Sequence, residues 1–311
     1  MYRVTTFIFT LILSSIFVPR VSAAPNVVAT ILPLHALVVG VTEGVSRPKL
    51  LIKGGHSPHS YSLRPSDAKA LEDANLILWV GPELESFLVT PLNSLASTAA
   101  KLELLKQKEL VRLPQRTGGV WDSFESLDHA GADHAASSNP HLWLDPQNAV
   151  NITRLLASKL TELDPKNGRT YKANAQRLEE RLQRLDQKID QQLDPVRELP
   201  YLVFHDAYHY YEQRYALQPL GAISISPERR PGAKRISEIR KMVQESKARC
   251  VFAEPQFKPQ MVETLISGTS VAVGILDPIG ADLTPGVDSY FTLLEKMTEN
   301  LKKCLMGSTR N

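Results

Sequence analysis

The sequence predicts an α/β protein of two lobes, each a mainly parallel sheet with flanking helices, joined by one long rigid helix. Three observations predict it. Short apolar, β-rich runs alternate with helical stripes before residue 164, and the same alternation resumes after residue 200. Between them, Leu178, Leu182, Leu185, Ile189 and Leu193 form a helical stripe in a segment dense in Gln, Arg, Glu and Asp, with no glycine after Gly168 until the stripe ends. A length of 311 residues suits two ordinary domains or one large one.

The chain opens with an address. Met1-Tyr2-Arg3 is a positive start, Val4 to Val18 is mostly apolar, and Val21-Ser22-Ala23 before Ala24-Pro25 has the small residues a signal peptidase accepts. The apolar core is interrupted by Thr5, Thr6, Thr10, Ser14 and Ser15 and falls short of the ~20 residues that span a bilayer. Residues 1–23 therefore read as a cleaved secretory signal, and the absence of cysteine near that point leaves nothing to lipidate. A protein soluble in the periplasm or outside the cell is expected.

In the mature chain, Asn26 to Leu32 is a strand stopped by Pro33, and Leu34 to Val41 a short buried helix. Lys49 to Ile52 is a second strand, running into a loop marked by Gly54, Gly55 and Pro58. Ser66 caps a helix to Asp73, and Leu76 to Val80 is a third strand before Gly81-Pro82. Gln147 to Leu163 is helical, Asp164-Pro165 interrupts it, and Pro165 to Leu193 gives a helix of roughly 28 residues, or ~42 Å. That helix is read as a spacer between lobes, with a coiled-coil dimer as the alternative; Asp194-Pro195 ends it. Strands then follow at 201–204, 219–225, 250–253 and 271–276, separated by helices at 208–214 and 237–246, and a helix at 289–305 closes the chain. The expected units are 24–164, the helix 165–195, and 196–311.

Charge narrows the function. Removing residues 1–23 takes away Arg3 and Arg20 and leaves 34 basic against 33 acidic residues. A chain so close to neutral has no electrostatic footprint for nucleic acid or an anionic membrane. Cys250 and Cys304 are the only cysteines, and in an oxidising compartment such a pair reads as a structural disulfide, with two buried free thiols as the alternative. Closing the loop between them, 54 residues apart, would stabilise the fold by about 4 kcal/mol and tie the last helix to its lobe.

Chemistry gathers around histidine. His59, His141 and His205 each stand in a loop at or beyond the end of an apolar segment, and Asp277 follows the strand at 271–276. In parallel sheets ligands bind outside the carboxyl ends of the strands, so these four residues can converge on a metal ion. Asp145, Asp206 and Glu254 are candidates to orient the histidines through the second ring nitrogen, with His56 and His209 as neighbours. Residues 122–134 gather acids with His129 and His134; a solvated loop and an auxiliary metal site are both open readings.

GGHSPHSYSLRPSD (54–67), PHLWLD (140–145), FHDAYHYYE (204–212), CVFAEPQF (250–257) and GILDPIG (274–280), taken in order, resemble the periplasmic, ZnuA-like metal-binding proteins of ABC-type zinc importers. The resemblance covers nearly the whole mature chain and implies two α/β lobes joined by a long helix, with the metal between them. It implies His59, His141 and His205 as ligands, with Asp277 as the fourth, where a water shares or replaces it. Some members carry Glu just before the first ligand histidine; Pro58 stands there in this chain. Three imidazoles and a carboxylate suit zinc, and His205 favours zinc over manganese, whose binders replace one histidine by a carboxylate. The resemblance further implies a monomer that captures zinc in the periplasm and delivers it to a membrane permease with its ATPase. A manganese-binding protein or metal-dependent adhesin is the alternative within the family. A zinc hydrolase is the rival class, and the chain lacks both His-Glu-x-x-His and a Gly-x-Ser-x-Gly turn.

Overall fold

Val27–Ala29 (β1) and Leu76–Trp79 (β3) are buried along their whole length, as strands covered on both faces must be. The structure is a computed structural model describing residues 24–116, 137–223, 233–245, 247–256, 262–263 and 266–307, so the expected signal segment and His129 and His134 lie outside it. Lys49–Leu50 (β2) and Ala100–Glu103 (β4) complete a parallel sheet of order β2-β1-β3-β4. Tyr201–Val203 (β5), Pro219–Ala222 (β6), Cys250–Ala253 (β7) and Ala272–Ile275 (β8) form a second parallel sheet of order β6-β5-β7-β8. The two orders are the same when each sheet is counted from its own first strand. In each, the connections leave that strand in opposite directions, which makes a switch point between its first and third strands.

The helices are Leu32–Thr42 (α1), Pro65–Glu72 (α2), Val89–Ser94 (α3), Pro146–Leu163 (α4), Gly168–Leu193 (α5), His209–Arg214 (α6), Ala233–Glu245 (α7) and Asp288–Met306 (α8). None among the described residues is long and apolar enough to cross a membrane. Two starts differ from the sequence reading. The long helix begins at Gly168, because residues 165–167 form a separate 3₁₀ turn behind Asp164-Pro165, and it has 26 residues. The second helix starts at Pro65, with Arg64 rather than Ser66 at the cap; Asp67 accepts from the Arg64 backbone N–H at 3.0 Å. Both shifts follow proline, whose fixed φ suits the first turn of a helix.

Helix α5 is more than a spacer. Its stripe is fully used within the chain: Tyr171, Leu178, Leu182, Leu185, Ile189 and Leu193 are buried, and the helix packs on α4, α1 and α8. That leaves no apolar seam for a coiled coil. Gly40 allows the closest approach, since a Cβ there would meet Leu178 Cδ2 at 2.8 Å. Asn174 then caps α1 from the side, donating to the carbonyls of Val41 and Glu43 at 2.9 Å each. One apolar core runs through both lobes along this seam, and a smaller one around Leu202, Phe204, Val243 and Val251 lies under α7. Cys250 and Cys304 are joined as a disulfide, which pins α8 to β7.

Candidate metal centre

The loop after β2 turns through Gly54 and Gly55, whose φ values of +68° and +71° are left-handed. At Gly55 the need is double, because a Cβ would also sit 2.8 Å from the Cβ of Ala281 in the other lobe. This close approach carries His59 toward the lobe boundary, while His56 stays outside, bonded to Arg64 Nη2 at 3.1 Å and edge-on to Tyr61.

His141 precedes a 3₁₀ turn at Leu142–Leu144, after which Asp145 caps α4 by accepting from the Gln147 backbone N–H at 2.9 Å. Asn139 sets its ring. The Asn139 Oδ1 accepts from both the backbone N–H of His141 at 3.0 Å and its Nδ1 at 2.9 Å, while Nδ2 donates across the boundary to the carbonyl of Asp206 at 2.7 Å. Trp143 continues the tie between lobes: its Nε1 donates to the Pro278 carbonyl at 2.8 Å, and its ring centroid lies 5.2 Å from that of His141.

His205 stands two residues past β5, and Glu254 one past the neighbouring β7, so they meet at the second sheet's switch point. Glu254 Oε1 accepts from His205 Nδ1 at 2.5 Å, as the sequence reading expected of one of its three acids. The other two are turned elsewhere. Asp145 is occupied as a helix cap, and Asp206 accepts from Arg116, which also binds Glu212 at 2.6 Å. Arg116 and the Pro114–Ser138 bridge form a strap from the first lobe, and Tyr210 of the second clasps it, accepting from Leu113 N at 3.0 Å and donating to the Asn139 carbonyl at 2.8 Å. His209 lies beside the strap, its pKa lowered by burial and by Arg116.

Among the described residues, His59, His141 and His205 are the group whose donor atoms lie close enough for one ion, all within 4.8 Å of one another. His141 Nε2 is 3.4 Å from His59 Nε2 and 3.2 Å from His205 Nε2. A tetrahedral zinc site with arms of 2.0–2.1 Å has edges of about 3.3 Å, so this spacing fits. Because Asn139 and Glu254 claim the Nδ1 protons of His141 and His205, their Nε2 lone pairs face each other. A cation resolves that repulsion; a proton is disfavoured, since burial, reinforced by His205 and His59, holds the His141 pKa well below the usual imidazole range. Burial likewise pushes the Glu254 pKa up, against the pull of His205. The histidines line a cavity of about 20 Å³ with Trp143, Glu254 and Gln256.

Asp277 is not in this group. Its Oδ1 accepts from Gln256 Nε2 and from the backbone N–H groups of Ile279 and Gly280, and its Oδ2 from that of Ala281. Asn139, Trp143, Arg116 and Gln256 were not singled out as site residues by the sequence. For Asn139 a signal existed: Asn before Pro, two residues ahead of a candidate ligand, is an Asx-turn pattern that brings its side chain back to that residue.

The chain has known relatives. Residues 27–304 match the family described as "ZnuA: Zinc-uptake complex component A periplasmic". It is 39% identical over 308 residues to the high-affinity zinc uptake system protein ZnuA of Brucella abortus, covering 90% of this chain and 91% of that one. The corresponding protein of Yersinia pestis is 38% identical over 299 residues, covering 91% and 92%. In three dimensions it is similar to a crystal structure of ZnuA, with a TM-score of 0.75 and 22% identity over 91% of this chain and 99% of that chain, a likeness of fold.

Proposed function

The chain belongs to the ZnuA family of periplasmic zinc-uptake components, and from that premise we propose that it captures zinc between its lobes and hands it to the membrane permease of an ABC transporter. His59, His141 and His205 are the protein's ligands. The observation that carries this is the convergence of the Nε2 atoms, 3.2 and 3.4 Å apart, with Nδ1 of His141 and His205 already committed to acceptors. Zinc is cargo here, and the protein performs no chemistry on it beyond binding and release.

His59 and His141 come from the segment before α5 and His205 from the segment after it, so an ion held by all three closes the boundary between the lobes 24–164 and 196–311. The outer supports are unequal in reach. Glu254 orients His205 from within its own sheet, whereas Asn139 orients His141 while bonded to the Asp206 carbonyl across the boundary. Drawing the lobes apart therefore loosens His141 first, which gives a permease gripping both lobes a way to release the ion. Residues 1–23 are removed on export and the mature protein acts as a monomer, so its intact mass begins at Ala24.

Calorimetric titration of the chelator-stripped mature protein tests the proposal. One tight zinc site that disappears in His141→Ala is expected. A wild type that takes up no zinc tightly sinks it.

A further inference from the structure

The three histidines leave a tetrahedral ion one position short, and Asp277, the carboxylate closest to the site in the sequence pattern, is held in another role. Moving it onto a metal would strip acceptors from the backbone N–H groups of Ile279, Gly280 and Ala281. Each buried donor left unmet costs about 1–3 kcal/mol. Asp277 is thus the anchor of the 277–281 turn, and that turn builds the roof over the cavity through Pro278 and Ile279.

Asp277 also fixes a neighbour. A carboxylate accepts only, so the Gln256 amide must present Nε2 to it, at 2.9 Å, and its Oε1 must point elsewhere. That oxygen is buried and has no hydrogen-bond partner among the described residues. The same side chain lines the cavity with His59, His141 and His205. A volume of about 20 Å³ exceeds the ~10–15 Å³ that one water needs.

Resting on the zinc reading above, we propose that Gln256 Oε1 serves the fourth position of the site by accepting a hydrogen bond from a water bound to the ion. A metal-bound water is a strong donor, and it satisfies an amide oxygen that is otherwise buried without a partner. Gln256 is a positioning residue for that water, and Asp277 in turn positions Gln256. The arrangement supplies an oxygen ligand without adding a second negative charge beside Glu254, and it stands in a chain that has Pro58 where some relatives have glutamate.

The test compares Gln256→Leu and Asp277→Asn with wild type by three measurements: zinc affinity in competition with a chelator, the visible spectrum of the cobalt(II)-loaded protein, and the melting temperature of the metal-free protein. Loss of a partner to a metal ligand typically costs 10–100-fold in affinity. Gln256→Leu is expected to bind one zinc about 10–100-fold more weakly, with an altered cobalt spectrum and unchanged melting. Asp277→Asn, which no longer forces the Gln256 amide to present Nε2, is expected to shift the cobalt spectrum in the same direction as Gln256→Leu and to weaken zinc less. The proposal is overturned if Gln256→Leu matches wild type in affinity and spectrum, if its weaker binding comes only with a lowered melting temperature and an unaltered spectrum, or if Asp277→Asn alone changes the spectrum. Wild type that binds zinc normally beside an indifferent Gln256→Leu removes this inference only; wild type that takes no zinc removes the parent reading as well.

Discussion

The two sheets share one strand order, yet their switch points have been put to opposite uses. In the second lobe the switch point holds His205 and Glu254, a proposed ligand and its acceptor, at the edge of the candidate metal cavity. In the first lobe the equivalent place holds Thr30, just past β1, and Glu85, beyond β3. Thr30 Oγ1 donates to Glu85 at 2.5 Å, the backbone N–H groups of Val80 and Gly81 add 3.1 and 3.0 Å bonds, and the carboxyl is wholly buried. The ligands proposed for the first lobe arrive instead from loops, after β2 and before α4. Topology therefore offers a place for a ligand without filling it; the residue just past the strand decides whether that place binds an ion or closes the sheet.

Substituting the paired residues is the way to break this comparison. His205→Ala has the largest expected effect, loss of the tight zinc site in calorimetry, whereas Thr30→Val should leave zinc stoichiometry intact. Glu85→Gln comes next, in stability alone. Burial pushes the Glu85 pKa up from 4.5 to about 7, so the stability that protonation contributes is complete below the lower value and lost as pH rises through the upper one. Between pH 5 and pH 8 the wild type should lose up to about 3 kcal/mol relative to Glu85→Gln, read from denaturant melts at the two pH values. An identical pH response in the two proteins would show that the two backbone N–H groups keep Glu85 charged throughout.

Glu254→Gln should act on the metal instead, weakening zinc by about 10–100-fold in a chelator competition. Asn139→Asp sharpens the contrast from the other lobe. It gives His141 a carboxylate acceptor like that of His205 but removes the donor to the Asp206 carbonyl, so the reading of Asn139 as a tie between lobes predicts faster zinc release in stopped-flow chelation. The smallest effect is expected from deleting residues 122–137: one tight zinc per chain as before, with only weak additional binding lost. Unchanged uptake and no lost weak sites would leave His129 and His134 as ordinary loop residues.

What the sequence made legible follows from range. Apolar runs gave seven of the strands within a few residues, and burial on both faces explains the runs of β1, β3 and β5. Ala100–Glu103 escaped notice since Ala-Lys-Leu-Glu has no β-branched residue and alternates over only four positions, and it lies at the sheet's edge beside β3. His59, His141 and His205 could be read from their places at loop starts and from the order of motifs around them. Their support could not. Asp277 before Pro278 looks the same whether it faces an ion or caps a turn, and the difference rests on backbone N–H groups two to four residues later. Glu254, Asp206 and Asp145 likewise read alike in sequence; only packing shows that one reaches an imidazole while the others meet an arginine and a helix end.

The first and last helices among the described residues are neighbours. α8 lies against α1 and α5, and its Cys304 is fastened to β7. A ribosome delivers the chain from its amino end, so the part of α1 that α8 covers stays open until almost every other residue has emerged, although α4 and α5 reach that helix earlier. The native core can close only at the end of delivery.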